Sequence, residues 1–168
     1  MSESQLIKIG MASWPWPERP PLEMGVESGI VWAITRAPYM GINGYVMIPP
    51  EGHPWSAGIP SWPQKYDEDD EYSYEAHGYD AFTVHGGITY GGGECMGSDQ
   101  RWLGFDTAHS GDVWPPEFDP HNGSDICGRG LPWSKEWTTE LVIEEVKSLA
   151  RQLAAVEVDT RAIEVGDQ

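Results

Sequence analysis

Cysteine is scarce. Cys95 and Cys127 are the two in 168 residues, and neither belongs to a CxxC pair, which excludes a disulfide scaffold and leaves two reduced thiols as the expectation. Basic residues are scarce too: 10 Lys plus Arg face 27 acidic residues, a formal charge of −17. Such a chain repels phosphate backbones at long range, so direct nucleic-acid binding is not expected, and a cation or a basic protein partner is favoured. No apolar run approaches the ~20 residues that span a bilayer, so no membrane partner is expected. Residues 1–9 carry one Lys and no long apolar segment; a secretory signal is therefore not expected, and a cytoplasmic placement is. Also missing are HExxH, GxSxG and a Walker loop, which removes the common zinc-protease, α/β-hydrolase and nucleotide-phosphate signatures.

Present instead are nine Trp and seven Tyr, many of the Trp beside Pro: Trp14-Pro15-Trp16-Pro17, Trp62-Pro63, Trp114-Pro115-Pro116 and Pro132-Trp133. Proline fixes φ and removes a donor, so these stretches read as extended loops anchored by aromatic rings. The length fits one domain, residues 1–168, burying roughly 70% of its unfolded surface. Residues 1–28 read as a Pro-rich arm with a short strand near residues 6–9, and residues 157–168 as a frayed tail.

The patterns between them predict an α+β fold, an antiparallel β-sheet with one long C-terminal helix packed on it. Strands are expected at 29–35, 43–49, 81–90 and 101–106, the first two forming a hairpin. The third shows apolar Phe82, Val84, Ile88 and Tyr90 on one parity. Leu141, Val142, Val146, Leu149, Leu153 and Val156 recur at helical spacing behind Thr138 or Thr139 as N-cap, predicting a helix over 139–156. Gly91-Gly92-Gly93 reads as a hairpin loop rather than a phosphate cradle, since no helix or Lys follows it. The run Asp67-Glu68-Asp69-Asp70-Glu71 predicts an exposed, mobile loop over 65–75.

Three stretches carry chemistry: Gly52-His53-Pro54, Val84-His85-Gly86-Gly87-Ile88-Thr89 and Gly104-Phe105-Asp106-Thr107-Ala108-His109-Ser110-Gly111-Asp112. Each sets a His close to a Gly, where backbone or ligand can approach. Asp106, His109 and Asp112 recur every three residues and could converge on a compact loop. Imidazole with carboxylate suits zinc, manganese or iron, so His53, His85, Asp106, His109 and Asp112 are candidate metal ligands. His109 is equally a candidate general base oriented by Asp106 or Asp112, with Thr107, Ser110 or Thr89 beside it. Arg101, with Arg36 and Arg129, is a candidate anion contact. A network without a ligand is the competing reading, since a buried Asp after a strand commonly caps a loop. His77 and His121 read as surface residues. His85 is expected near residues 106–112, because strands 81–90 and 101–106 most simply pair as a hairpin that sets it nearly opposite Asp106.

Asn43-Gly44-Tyr45-Val46 with Gly52-His53-Pro54, then Val84 to Thr89, then Trp102 to Asp112, resemble in this order a family of small uncharacterised bacteriophage and prophage proteins. The resemblance covers residues 29–155, the family ending in a helical segment similar to 139–155. The family has Cys where this chain has Thr107, and often where it has Ile42 or Asn43, so no thiol chemistry is carried over. The resemblance implies a phage accessory protein in the bacterial host cytoplasm. By analogy, such proteins block host defence. The first functional expectation is therefore a non-catalytic inhibitor without a cofactor, binding a host bacterial protein or sequestering a small signalling molecule. The alternative is a metal-dependent hydrolase using zinc or another divalent ion, and the third a virion structural or assembly protein.

Overall fold

The computed structural model describes residues 1–57, 82–91, 101–119 and 132–157. The chain is α+β. Helix α1 (Glu3–Ala12) leads into strands β1 (Glu23–Glu27), β2 (Ile30–Arg36), β3 (Ile42–Met47) and β4 (Trp102–Phe105); the pair β5 (Asp112–Val113) and β6 (Lys135–Glu136) and helix α2 (Thr139–Ala154) follow. β1 to β4 form an antiparallel sheet in that order, and β5 pairs with β6 in parallel.

Alternation along β2 explains how the sheet is covered. Ile30, Trp32 and Ile34 meet Val142, Val146, Leu149 and Leu153 of α2 on one face. Val31 and Ala33 face the other way, against Leu6 of α1 and the rings of Trp14 and Trp16. A strand buried on both sides reads as a continuous apolar run rather than an alternating one. α2 forms where its spacing predicts, with the Thr138 side chain accepting from the Leu141 N–H. Hydrogen bonds from its own backbone and from Thr138 hold the exposed Glu140 carboxyl below its ordinary range.

Two expectations are corrected. Residues 1–28 are no loose arm: they supply α1 and β1. Ser2 and Gln5 form a reciprocal capping box that starts α1, and the Cβ-free Gly10 lets the helix sit directly on Val31. Trp14, Trp16, Tyr45, Tyr90 and Trp102 then pack together, Trp14 edge to face with Trp102 at 5.1 Å and Trp16 tilted on Tyr90 at 4.7 Å.

Nor is the 81–90 segment a strand over its described part, residues 82–90. Its backbone finds partners on α2 side chains instead of a ladder. Gln152 accepts from the Thr83 N–H at 2.7 Å and donates to the Thr83 carbonyl at 2.9 Å, and Glu145 accepts from the His85 N–H at 2.7 Å. A turn at Gly86 and Gly87, with φ of 68° and 78°, then swings the chain so that Thr89 and Tyr90 reach Gly104 of β4, Tyr90 through an isolated antiparallel bridge. The acidic run with the rest of 65–75, Gly92, Gly93, both cysteines, His77, His121 and Arg129 lie outside the described residues. Among the described residues, no helix is long and apolar enough to cross a membrane.

Candidate metal centre

The corner between β4 and β5 is a tight local structure. The Asp106 carboxylate accepts from the Ala108 N–H at 3.0 Å, the His109 carbonyl accepts from the Asp112 N–H at 3.0 Å, and Gly111 takes φ of 93°. This fold-back directs the Asp112 carboxylate inward, where it is 1% exposed. A buried carboxylate requires donors, and Asp112 has several. Oδ1 accepts from the Trp137 indole N–H at 2.8 Å, and Oδ2 from the His109 backbone N–H at 2.8 Å. His85 Nε2 lies 2.8 Å from Oδ1 and 3.0 Å from Oδ2.

His109 completes the group. Its ring packs on Gly86, where a Cβ would come within 2.1 Å of the imidazole, and stands edge to face with His85 at 5.2 Å. His109 Nδ1 is 3.4 Å from Asp112 Oδ2 and 3.6 Å from Asp106 Oδ1. Despite that proximity it is buried without a hydrogen-bond partner, because closeness without alignment makes no hydrogen bond. One ligand atom each from His85, His109 and Asp112 lie within 4.8 Å of one another.

The sequence candidates thus divide. His85, His109 and Asp112 come together. His85 reaches Asp112 rather than Asp106, since the Tyr90–Gly104 pairing sets the register and the Gly86-Gly87 turn carries His85 off it. Asp106 lies beside His109 but outside the three-residue group. Burial pushes the Tyr45 hydroxyl up from its ordinary range against the Asn43 hydrogen bond and Arg19, and the Asp106 charge adds a smaller upward push.

His53 is elsewhere: its Nδ1 accepts from the Trp55 N–H at 3.0 Å and its Nε2 donates to the Leu153 carbonyl at 2.9 Å, at the end of α2. Both nitrogens serve the backbone, so it is a strut and not a fourth ligand. Thr89 donates its N–H to the Gly104 carbonyl at 2.9 Å, and the exposed Arg101 accepts from the Ile48 N–H at 2.7 Å through its own carbonyl; neither belongs to the group. Thr107 is buried with its hydroxyl donating to the Ile42 carbonyl at 2.9 Å.

Sequence reasoning missed Trp137 and Glu145. Trp137 holds the carboxylate, and Glu145 fixes the His85 backbone. A Trp just before a helix cap carries no local sign that its N–H goes to a carboxylate 25 residues earlier.

Three donors of this kind are a set that divalent transition ions accept. Tetrahedral ligands at about 2.0–2.1 Å from zinc lie about 3.3 Å apart; Asp112 Oδ2 is 3.0 Å from His85 Nε2 and 3.4 Å from His109 Nδ1. The two His side chains are 25% and 33% exposed, while the Asp112 carboxylate and His109 Nδ1 are buried. Comparison with family models, with curated proteins and with solved structures finds no match to this chain.

Proposed function

We propose that the protein works through a divalent transition-metal ion, of the zinc class, held by His85 Nε2, His109 Nδ1 and Asp112 Oδ2, and that it is a metal-dependent hydrolase. One observation carries this reading: the His109 Nδ1 is buried with no hydrogen-bond partner, yet it and His85 Nε2 converge on the Asp112 carboxylate, at 3.4 and 2.8 Å. A buried polar atom left unsatisfied in a native fold calls for an explanation, and an ion is a sufficient one. A three-ligand His-His-Asp set leaves a fourth position on a four-coordinate ion, where the ion would supply an acidified water. The −17 charge of the chain favours a cation.

The test is equilibrium dialysis against zinc with elemental analysis. The expected result is one ion per chain, lost in His109→Ala, with X-ray absorption giving N/O ligands at about 2.0–2.1 Å. Hydrolysis of activated carboxylic and phosphate esters should require the ion. Zinc binding no tighter in the native chain than in His109→Ala would overturn the reading.

A second reading keeps the phage resemblance: capture of a host bacterial protein. It is favoured by Trp133 and Tyr39, which are 65% and 77% exposed, since exposed aromatic rings anchor protein interfaces. Trp133→Ala and Tyr39→Ala should then abolish recovery of a defined host protein without changing zinc binding.

A further inference from the structure

The two edges of the sheet differ. At β4, the Gly104 carbonyl accepts from the Thr89 and Tyr90 N–H groups at 2.9 and 3.1 Å, and its N–H donates to the Tyr90 carbonyl at 3.0 Å, which closes that edge. β1 is the other edge. The Ala37 N–H donates to the Gly41 carbonyl at 3.0 Å and continues the β2–β3 ladder. Hydrogen-bonding direction alternates along an antiparallel strand. Thr35, Ala33 and Val31 therefore turn their backbone groups to β3, and Ile34, Trp32 and Ile30 turn theirs to β1. Their partners Glu23, Gly25 and Glu27 bond inward. The N–H and C=O groups of Met24 and Val26 are left pointing away from the sheet, and among the described residues no hydrogen bond reaches them.

Side chains on this edge are sorted by face. Met24 and Val26 are half-buried on the α1 side, with Leu6 and Val31. Glu23 and Glu27 lie on the α2 side, with Gly25 between them, where the Trp32 ring fills the space of a side chain. Glu23 is exposed, and Glu27 meets Arg151 at 3.3 Å. Lys147 lies 5.5 Å from the Trp32 ring and is answered by Glu144 at 3.8 Å. A second copy fits this edge badly. Centred on Gly25, antiparallel pairing would set Glu23 against Glu27, and parallel pairing would set each Glu against itself. Like charges directly opposite destabilise a sheet, and charge on an edge strand guards against self-association. The same charge selects what does bind.

We propose that the outer edge of β1 docks an extended segment of a basic partner protein as a fifth strand. The free backbone groups of Met24 and Val26 pair with the backbone of that segment, as in strand addition generally. Side chains directly opposite share a face. The fitting segment thus carries Lys or Arg opposite Glu23 and Glu27, and apolar residues opposite Met24 and Val26. The −17 charge of the chain steers such a segment inward. This edge is the one opposite the β4–β5 corner and needs no metal.

The probe is the end-blocked peptide Lys-Val-Thr-Val-Lys, compared with Glu-Val-Thr-Val-Glu and with the basic peptide N-methylated at both Val. NMR of the native chain at low salt follows the Met24 and Val26 amides. The basic peptide should shift them, slow their exchange with water and bind about tenfold more tightly than the acidic one. N-methylation should abolish the effect, because it removes the donors to the Met24 and Val26 carbonyls. Glu23→Lys, at an exposed position, should remove most of the preference, and His109→Ala should leave it unchanged. Amides that ignore the basic peptide, or respond equally to the N-methylated one, would overturn strand addition. Equal binding of the basic and acidic peptides would overturn the basic partner. Slow exchange that grows with protein concentration in the absence of peptide would overturn it in favour of a second copy.

Discussion

His53 and His109 are both half-buried histidines in Gly-bearing loops, and their rings are used in opposite ways. At the end of α2, His53 receives the Trp55 N–H on one nitrogen and donates to the Leu153 carbonyl from the other. At the β4–β5 corner, His109 packs against Gly86 while its Nδ1 stays buried and without a partner, 3.4 Å from the Asp112 carboxylate. The first ring closes the unsatisfied end of a helix, where the last carbonyls need donors. The second leaves a donor atom exposed only to a cluster of other ligand atoms. The difference separates strut from site by how fully each nitrogen is used, which neither burial nor sequence context reveals.

The comparison breaks first at Asp112, where the largest effect is expected. Asp112→Ala would strand the Trp137 indole N–H, the His109 N–H and the His85 ring in a buried pocket. Each unsatisfied buried group costs about 1–3 kcal/mol, so a loss of about 3–5 kcal/mol in chemical denaturation is the expected outcome, together with loss of zinc uptake. A loss under about 1 kcal/mol would mean that water enters the corner and satisfies those donors.

His53→Ala sharpens the other side. The Trp55 N–H loses a partner, and the buried Leu153 carbonyl keeps its bond from the Val156 N–H at 3.1 Å, so about 1–2 kcal/mol is expected. Zinc affinity should not change. A fall in zinc affinity without a fall in stability would place His53 among the ligands after all.

Much of the sheet was legible because its strands are simple. The run Ile30 to Ile34 could only be a strand or a buried helix, and its brevity and β-branching decide for a strand. What stayed hidden was its second cover. The unbroken apolarity of that run already required one, and Ser2 with Gln5 spelled a capping box, but Pro15, Pro17, Pro20 and Pro21 drew the whole segment toward a loop reading.

Segment 82–90 misled in the reverse direction. Phe82, Val84, Ile88 and Tyr90 alternate as a strand would, yet Gln152 and Glu145 supply what a neighbouring strand normally supplies. At the site, the Gly-flanked histidines and the three-residue spacing of His109 and Asp112 pointed to the corner where His85, His109 and Asp112 come together. Nothing local separated His53 from them, because the use of its ring depends on the carbonyl of Leu153, 100 residues away.

The smallest stability effect belongs to His109→Ala, and it tests the comparison most directly. Removing this imidazole breaks no side-chain hydrogen bond, because Nδ1 has none. The His109 backbone N–H still donates to Asp112 Oδ2, and the Asp112 N–H still reaches the His109 carbonyl. What is lost is the packing of a third-exposed ring on Gly86 and His85, a partial apolar contact amounting to about 0.5–1 kcal/mol. A strut would behave otherwise: its truncation leaves partners behind and costs more than its contact area. The expected outcome is therefore a denaturation midpoint close to that of the native chain, measured without metal, and a zinc affinity at least about a hundredfold lower. Zinc should also shift the midpoint of the native chain upward and leave that of His109→Ala where it was, since binding to the folded state alone stabilises it in proportion to affinity. If His109→Ala instead loses as much stability as His53→Ala in the absence of metal, the ring is a second strut, and its unpartnered nitrogen marks no site.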